Sequence, residues 1–107
     1  MASIGGMGNL LKQAQEMQAR MAKIQEELAH KTVEGSSGGG MVQVTVNGQF
    51  NLTAVKIEPS VISVDEKGML EDLLLAAVND GMRKAREMAS AEMAKLTGGL
   101  KIPGLMP

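Results

Sequence analysis

The chain of 107 residues has no cysteine, no tryptophan, no tyrosine and one phenylalanine, Phe50. Absence of cysteine excludes disulfides, thiolate metal sites and thiol nucleophiles, and it fits a cytoplasmic protein. Absence of aromatics removes the platform on which modules for single strands and RNA loops stack bases. The single histidine, His30, falls at the end of a helical pattern, where it complements the helix dipole. No spacing puts metal ligands or triad partners beside it. No apolar run approaches the roughly 20 residues of a membrane span. The longest, Leu73 to Val78, stops after six. The N-terminus lacks both the basic and the apolar region of a secretion signal. The glycine run Gly38-Gly39-Gly40 is not followed by the Lys-Ser/Thr of a phosphate loop. Glu71 and Asp72 are neighbours, so on a helix they project in different directions and cannot work as an acid/base pair. We therefore expect one soluble domain over residues 1–107 with no enzymatic activity, metal, cofactor or small-molecule substrate.

What the sequence does hold is a narrow apolar stripe. Met7, Leu10, Ala14, Met17, Met21, Ile24 and Leu28 alternate spacings of three and four. That is the a/d pattern of a helix lying along another helix, narrower than the face a globular core needs. The pattern predicts a helix from about Asn9, as its N-cap, to His30, with Met7 in phase a turn earlier and residues 1–8 flexible. Ten methionines, most of them on helical stripes, suit adaptable packing.

The middle of the chain changes period. Gly35 to Gly40 reads as a flexible break after a weak strand near Thr32–Ser36. Val42, Val44 and Val46 alternate with polar residues as a half-buried strand. Asn47-Gly48 predicts a type I′ hairpin turn. The next strand, about Gln49 to Glu58, changes phase between Leu52 and Val55, which suggests a bulge or a two-sided strand. After Pro59, Ser63-x-x-Glu66 fits a capping box, with Asp65 competing, and opens a long helix that runs to about Thr97. Gly98 and Gly99 stop it, leaving a tail over 98–107. The fold class is α+β, in the order α-β-β-β-α, with a small antiparallel sheet and two long helices.

Helices of about 33 and 48 Å outreach a sheet about 20 Å long. A projecting apolar stripe is costly unless covered, and a homodimer is the simplest way to cover it. Small residues on the second helix, Ala77, Gly81, Ala85 and Ala89, invite a close-packed helix. The expected dimer interface is therefore Leu10, Ala14, Met17, Met21 and Ile24 on the first helix, with Ala77, Gly81 and Ala85 on the second.

The net charge is −1, so any affinity for nucleic acid must come from a local patch. Residues 65–80 are net −4, residues 81–107 net +3, and the first 25 residues net +2. On the second helix, acids first and bases last complement the macrodipole. The first helix runs the opposite way, with Lys12, Arg20 and Lys23 early and Glu26-Glu27 late. At 100° per residue Lys12 and Lys23 lie about 20° apart, opposite the apolar stripe, with Arg20 about 60° from Lys23. Gln13, Gln15 and Gln18 add amides around this polar face. It is either a phosphate-gripping surface or a solvated one. On the second helix Arg83, Lys84, Arg86 and Lys95 flank the apolar stripe.

Several segments then resemble one known family. Gly8-Asn9-Leu10, Lys12-Gln13-Ala14-Gln15-x-Met17-Gln18, Gln25-Glu26-Glu27, Gly38-x-Gly40-x-Val42-x-Val44, Asn47-Gly48, Met69-Leu70-Glu71-Asp72-Leu73-x-x-Ala76-Ala77-x-Asn79-Asp80 and Thr97-Gly98-Gly99 with Pro103-Gly104 occur in order. Together they resemble the YbaB/EbfC nucleoid-associated proteins over nearly the whole chain. The resemblance implies a bacterial homodimer in the cytoplasm, on the nucleoid, with tweezer-like helical arms that bind double-stranded DNA. It places DNA contacts on Lys12, Gln13, Gln15, Arg20 and Lys23 of the first helix and Arg83, Lys84, Arg86 and Lys95 of the second. The competing reading is a module whose heptad seam and Met-rich faces capture a helix of another protein without touching DNA.

Overall fold

The computed structural model describes residues 2–98. Its elements are α1 (Ala2–His30), β1 (Thr32–Ser37), β2 (Val42–Asn47), β3 (Leu52–Ile57) and α2 (Lys67–Gly98). The strands form one antiparallel sheet in the order β1-β2-β3. The α-β-β-β-α order is the one the residue periodicities predict.

The alternation in β2 sets the core. Val42, Val44 and Val46 turn to one face and are buried there with Ala77 and Ala85 of α2. Each valine so buried stabilises the fold by about 1.5–3 kcal/mol. The sheet and α2 approach closely because glycine meets glycine. A Cβ on Gly35 of β1 would stand 2.3 Å from the Ala77 carbonyl oxygen and from the Gly81 nitrogen. Gly81 in turn rests against the Val44 and Val46 side chains. This corrects one expectation: Ala77, Gly81 and Ala85 do allow close packing, but it is the chain's own sheet that occupies them. They are buried inside the protomer and are not available to a second helix.

Polar contacts clamp β1 to the same helix. The Ser37 hydroxyl donates to the Leu73 carbonyl at 2.6 Å, and the Ser36 amide donates to Asp80 Oδ2 at 3.0 Å. Lys84 Nζ donates to the Glu34 carbonyl at 3.2 Å. Residues opposed in register share a face, so Leu52, Val55 and Ile57 of β3 belong to the α2 side, opposite Val46, Val44 and Val42. The helix sits toward β1, however, and Leu52 and Val55 stay exposed.

The turns differ from expectation in informative ways. Helix α1 begins at Ala2, so Asn9 lies inside it, and the glycines that suggested a flexible start are helical. At 29 residues it is about 44 Å long. Strand β1 continues through Ser37, and the break shrinks to Gly38–Gly40, whose φ angles of 59°, 68° and 97° favour glycine. The Asn47-Gly48 hairpin is not a type I′ turn. Asn47 and Asn51 close a three-residue loop in which Phe50, not Gly48, takes positive φ (67°). Asn47 Oδ1 accepts from the amides of Gln49 and Asn51, which holds the loop. Gly48 is needed instead for proximity, since a Cβ there would stand 2.7 Å from the Leu28 carbonyl oxygen. The expected bulge falls at Thr53: Val46 pairs with Leu52 while Thr45 pairs with Ala54. The capping box does not form. Ser63 makes no side-chain cap, and a single 3-10 turn, Val64–Glu66, leads into α2. The tail after Gly98 lies outside the described residues.

Candidate nucleic-acid interface

The chain is 78 Å in its longest dimension and 16 Å in its shortest. Two elements reach along that length, and the stripe on α1 shows where support ends. Leu28 is 2 % exposed, Met17 and Ile24 are half-buried, and Ala14 and Met21 are exposed. Leu10 and Met7 are 65 % and 70 % exposed. Helix α1 is thus an arm rooted at its C-terminal end.

The root is built from the hairpin and α2. The Gly48 amide donates to the carbonyls of Leu28 (2.8 Å) and Lys31 (3.0 Å), capping backbone acceptors that a helix end leaves unpaired. The Gln49 side-chain amide donates to the Gln25 carbonyl at 3.1 Å. Lys31, just past the helix, pairs with Glu92 of α2 at 2.5 Å. Only 11 % of the Glu92 side chain is exposed, and Lys95 also reaches it, at 3.1 Å. The hydrogen bond from Lys31, then that from Lys95, holds the Glu92 carboxyl below its ordinary pKa, and the same bond raises that of Lys31. In the sequence Glu92 counts only as one of the two acids of residues 81–107. Its position two helical turns beyond Ala85, on the inward face, was the available signal.

The cations divide into two sets. On α2, Arg83 pairs with Asp80 and Glu87, both at 2.9 Å, and Lys84 pairs with Asp80 at 3.1 Å. Asp80 is held down to a pKa of about 2, first by the Ser36 amide and then by Lys84 and Arg83. Lys95 is engaged with Glu92. Arg86 is exposed and forms no ion pair among the described residues. On α1, Lys12, Arg20 and Lys23 are all exposed, and none has an ion-pair partner among the described residues. Gln13 and Gln15 are exposed on the same stretch. The fold therefore leaves positive charge uncompensated on the arm and largely compensates it on α2.

Other chemistry finds little to build on. Among the described residues no group of three His, Asp or Glu side chains is placed to hold a metal ion. His30 is exposed at the end of α1. Among the described residues no helix is long and apolar enough to cross a membrane.

Comparison with known proteins identifies the family and the fold. The model of the YbaB/EbfC DNA-binding family matches residues 4–100. The chain belongs to this family. A nucleoid-associated protein of Desulfotalea psychrophila is 52 % identical over 99 residues, covering 92 % of this chain and 93 % of its own. One from Caldanaerobacter subterraneus is 54 % identical over 99 residues, covering 92 % and 89 %. The crystal structure of an uncharacterized protein from Helicobacter pylori superposes with a TM-score of 0.71 at 27 % identity, covering 86 % of this chain and 94 % of that one. For this YbaB/EbfC chain, the exposed cationic face of α1 is the most direct candidate for a DNA contact.

Proposed function

We propose that the protein binds duplex DNA on the bacterial nucleoid as a homodimer and grips the phosphate backbone with its first-helix arms. The observation that carries this reading is the pairing of an unneutralised cationic face, Lys12, Arg20 and Lys23, with an uncovered apolar stripe on the opposite side of one helix. A second copy that covers the stripe leaves the cationic face outward. Gln13 and Gln15 add hydrogen-bond donors to phosphate or sugar, which position the protein without reading sequence. Arg83, Lys84 and Lys95 take the smaller share, because each must exchange a carboxylate for a phosphate. The family membership and the names of the relatives support DNA as the polyanion.

The test is a gel shift at low salt, using the purified protein and mixed-sequence duplex, with sedimentation of the same sample. We expect a retarded complex and a two-chain species. A single-chain species, or a dimer that leaves duplex free while retaining a helical peptide, supports the protein-capture reading instead.

A further inference from the structure

A cleft of about 430 Å³ opens at the arm root, between the end of α1, the loop after β2 and the second half of α2. That volume is in the range of small-molecule sites. Leu28 and Met93 give the cleft apolar lining, Phe50 gives it a ring, and Gln25, Gln49 and Arg86 supply polar groups. Phe50 is the one phenylalanine of a chain with no tyrosine or tryptophan, and it is 47 % exposed. The loop holds it in an unusual conformation, since a φ of 67° is rare for a bulky residue. The Phe50 amide donates to the Asn47 carbonyl at 3.0 Å, and Asn47 Oδ1 accepts from the amides on either side of Phe50. Gln49 is fixed in turn by its bond to the Gln25 carbonyl at 3.1 Å.

Charge selects the ligand. No acid is among the described residues that line the cleft, and Arg86 has no ion-pair partner among the described residues. The acids on the same stretch of α2 are engaged elsewhere, Glu87 by Arg83 and Glu92 by Lys31 and Lys95. The cleft thus brings together a ring face for stacking, side-chain amides for hydrogen bonds and a guanidinium for an anion. We infer that it binds a single nucleotide, whose base stacks on Phe50 and whose phosphate pairs with Arg86. One ring holds one base, so the site takes a nucleotide and not a tract of single strand. Nor is it the surface proposed for the duplex. At 100° per residue Gln25 and Leu28 project about 160° and 140° from Lys23, away from the cationic face of α1. The inference therefore stands apart from both the dimer and the phosphate grip. A free nucleotide and an unpaired one at a strand end present the same chemistry to the cleft.

The test titrates the full-length protein with adenosine monophosphate and follows the Phe50 ring protons by NMR, which stand alone in a chain with no other Phe, Tyr or Trp. Those signals should shift upfield and saturate. Adenosine should bind about tenfold more weakly, and ribose phosphate should leave the ring signals in place. Arg86→Gln should bring the monophosphate down to the affinity of adenosine. Phe50→Leu, read by saturation transfer to the adenine protons, should weaken binding about fivefold or more. Circular dichroism checks both variants for native helix content. Two hairpin duplexes separate the sources, one blunt and one with a single unpaired deoxyadenosine nucleotide at its end. Shifts with the second duplex and not the first assign the cleft to strand ends, and shifts with the monophosphate alone assign it to a free nucleotide. Ring signals that move with neither the monophosphate nor the unpaired nucleotide overturn the inference. So do signals that move as far with the blunt duplex, or an Arg86→Gln variant that binds the monophosphate as the wild type does.

Discussion

Phosphate gripping by the arm makes a quantitative demand on salt dependence. Three cations per arm are uncompensated, and two arms would engage about six phosphates, so log K should fall against log salt with a slope of about −5.4. Between about 50 and 200 mM salt that is a loss of roughly 10³ in affinity. Recruiting Arg83, Lys84, Arg86 and Lys95 as well would engage about fourteen phosphates and push the slope beyond about −10. The slope therefore reports which helices touch DNA. The perturbation is the triple variant Lys12→Ala, Arg20→Ala, Lys23→Ala, read by fluorescence anisotropy on a duplex of about 30 base pairs across a salt series. All three side chains are exposed and have no ion-pair partner among the described residues, so folding and dimerisation should be untouched, and sedimentation checks this. The slope should collapse to about −1 or shallower, and binding should weaken alike on every sequence. Lys23→Ala alone removes two contacts per dimer and should flatten the slope by about 1.8. A triple variant that keeps the wild-type slope refutes the assignment of the grip to α1.

The remaining predictions concern what holds the arm and the sheet. Leu28→Ala empties a site that is 2 % exposed at the arm root and should cost about 2–5 kcal/mol, seen as a lower urea midpoint at fixed protein concentration. Gly35→Ala drives a methyl into the backbone of α2 and should cost about 3 kcal/mol or more by the same assay. Gly81→Ala sets a Cβ 2.9 and 3.0 Å from the buried Val46 and Val44 side chains and 3.5 Å from the Gly35 nitrogen, so crowding should outweigh the gain of about 1 kcal/mol in helix propensity and the midpoint should fall. Asp80 has its pKa lowered from 3.8 to about 2 in the folded chain, so its contribution is fully present above pH 3.8 and is lost as pH falls toward about 2. Asp80→Asn should therefore lower stability at neutral pH and flatten the acid limb over that window. A variant with an unchanged acid limb means that the Ser36–Asp80 clamp contributes nothing.

The period-two alternation of Val42, Val44 and Val46 announced a strand buried on one face, and the phase slip after Leu52 allowed a bulge or a two-sided strand, of which the structure has the bulge, at Thr53. Such signals are legible because they depend on residues within one or two turns of each other. Turn chemistry was less legible. Asn47-Gly48 favours a two-residue turn in isolation, but Gly48 lies under the Leu28 carbonyl, and Phe50 takes the positive φ in its place. Ser63 and Glu66 fit a capping box by spacing, yet the chain turns there through a 3-10 step.

The sequence by itself determined the order of the elements and the heptad stripe on α1, since both follow from residue type and short-range spacing. Only the tertiary structure decided which side of α2 turns inward and how α1 and β1 are tied to that helix. Those outcomes depend on pairs that are remote along the chain, Lys31 with Glu92 across 61 residues and Ser36 with Asp80 across 44. The pairs of Arg83, Lys84 and Lys95 with acids three or four residues away are local, whereas no local pattern in the sequence records the meetings of Lys31 with Glu92 and of Ser36 with Asp80.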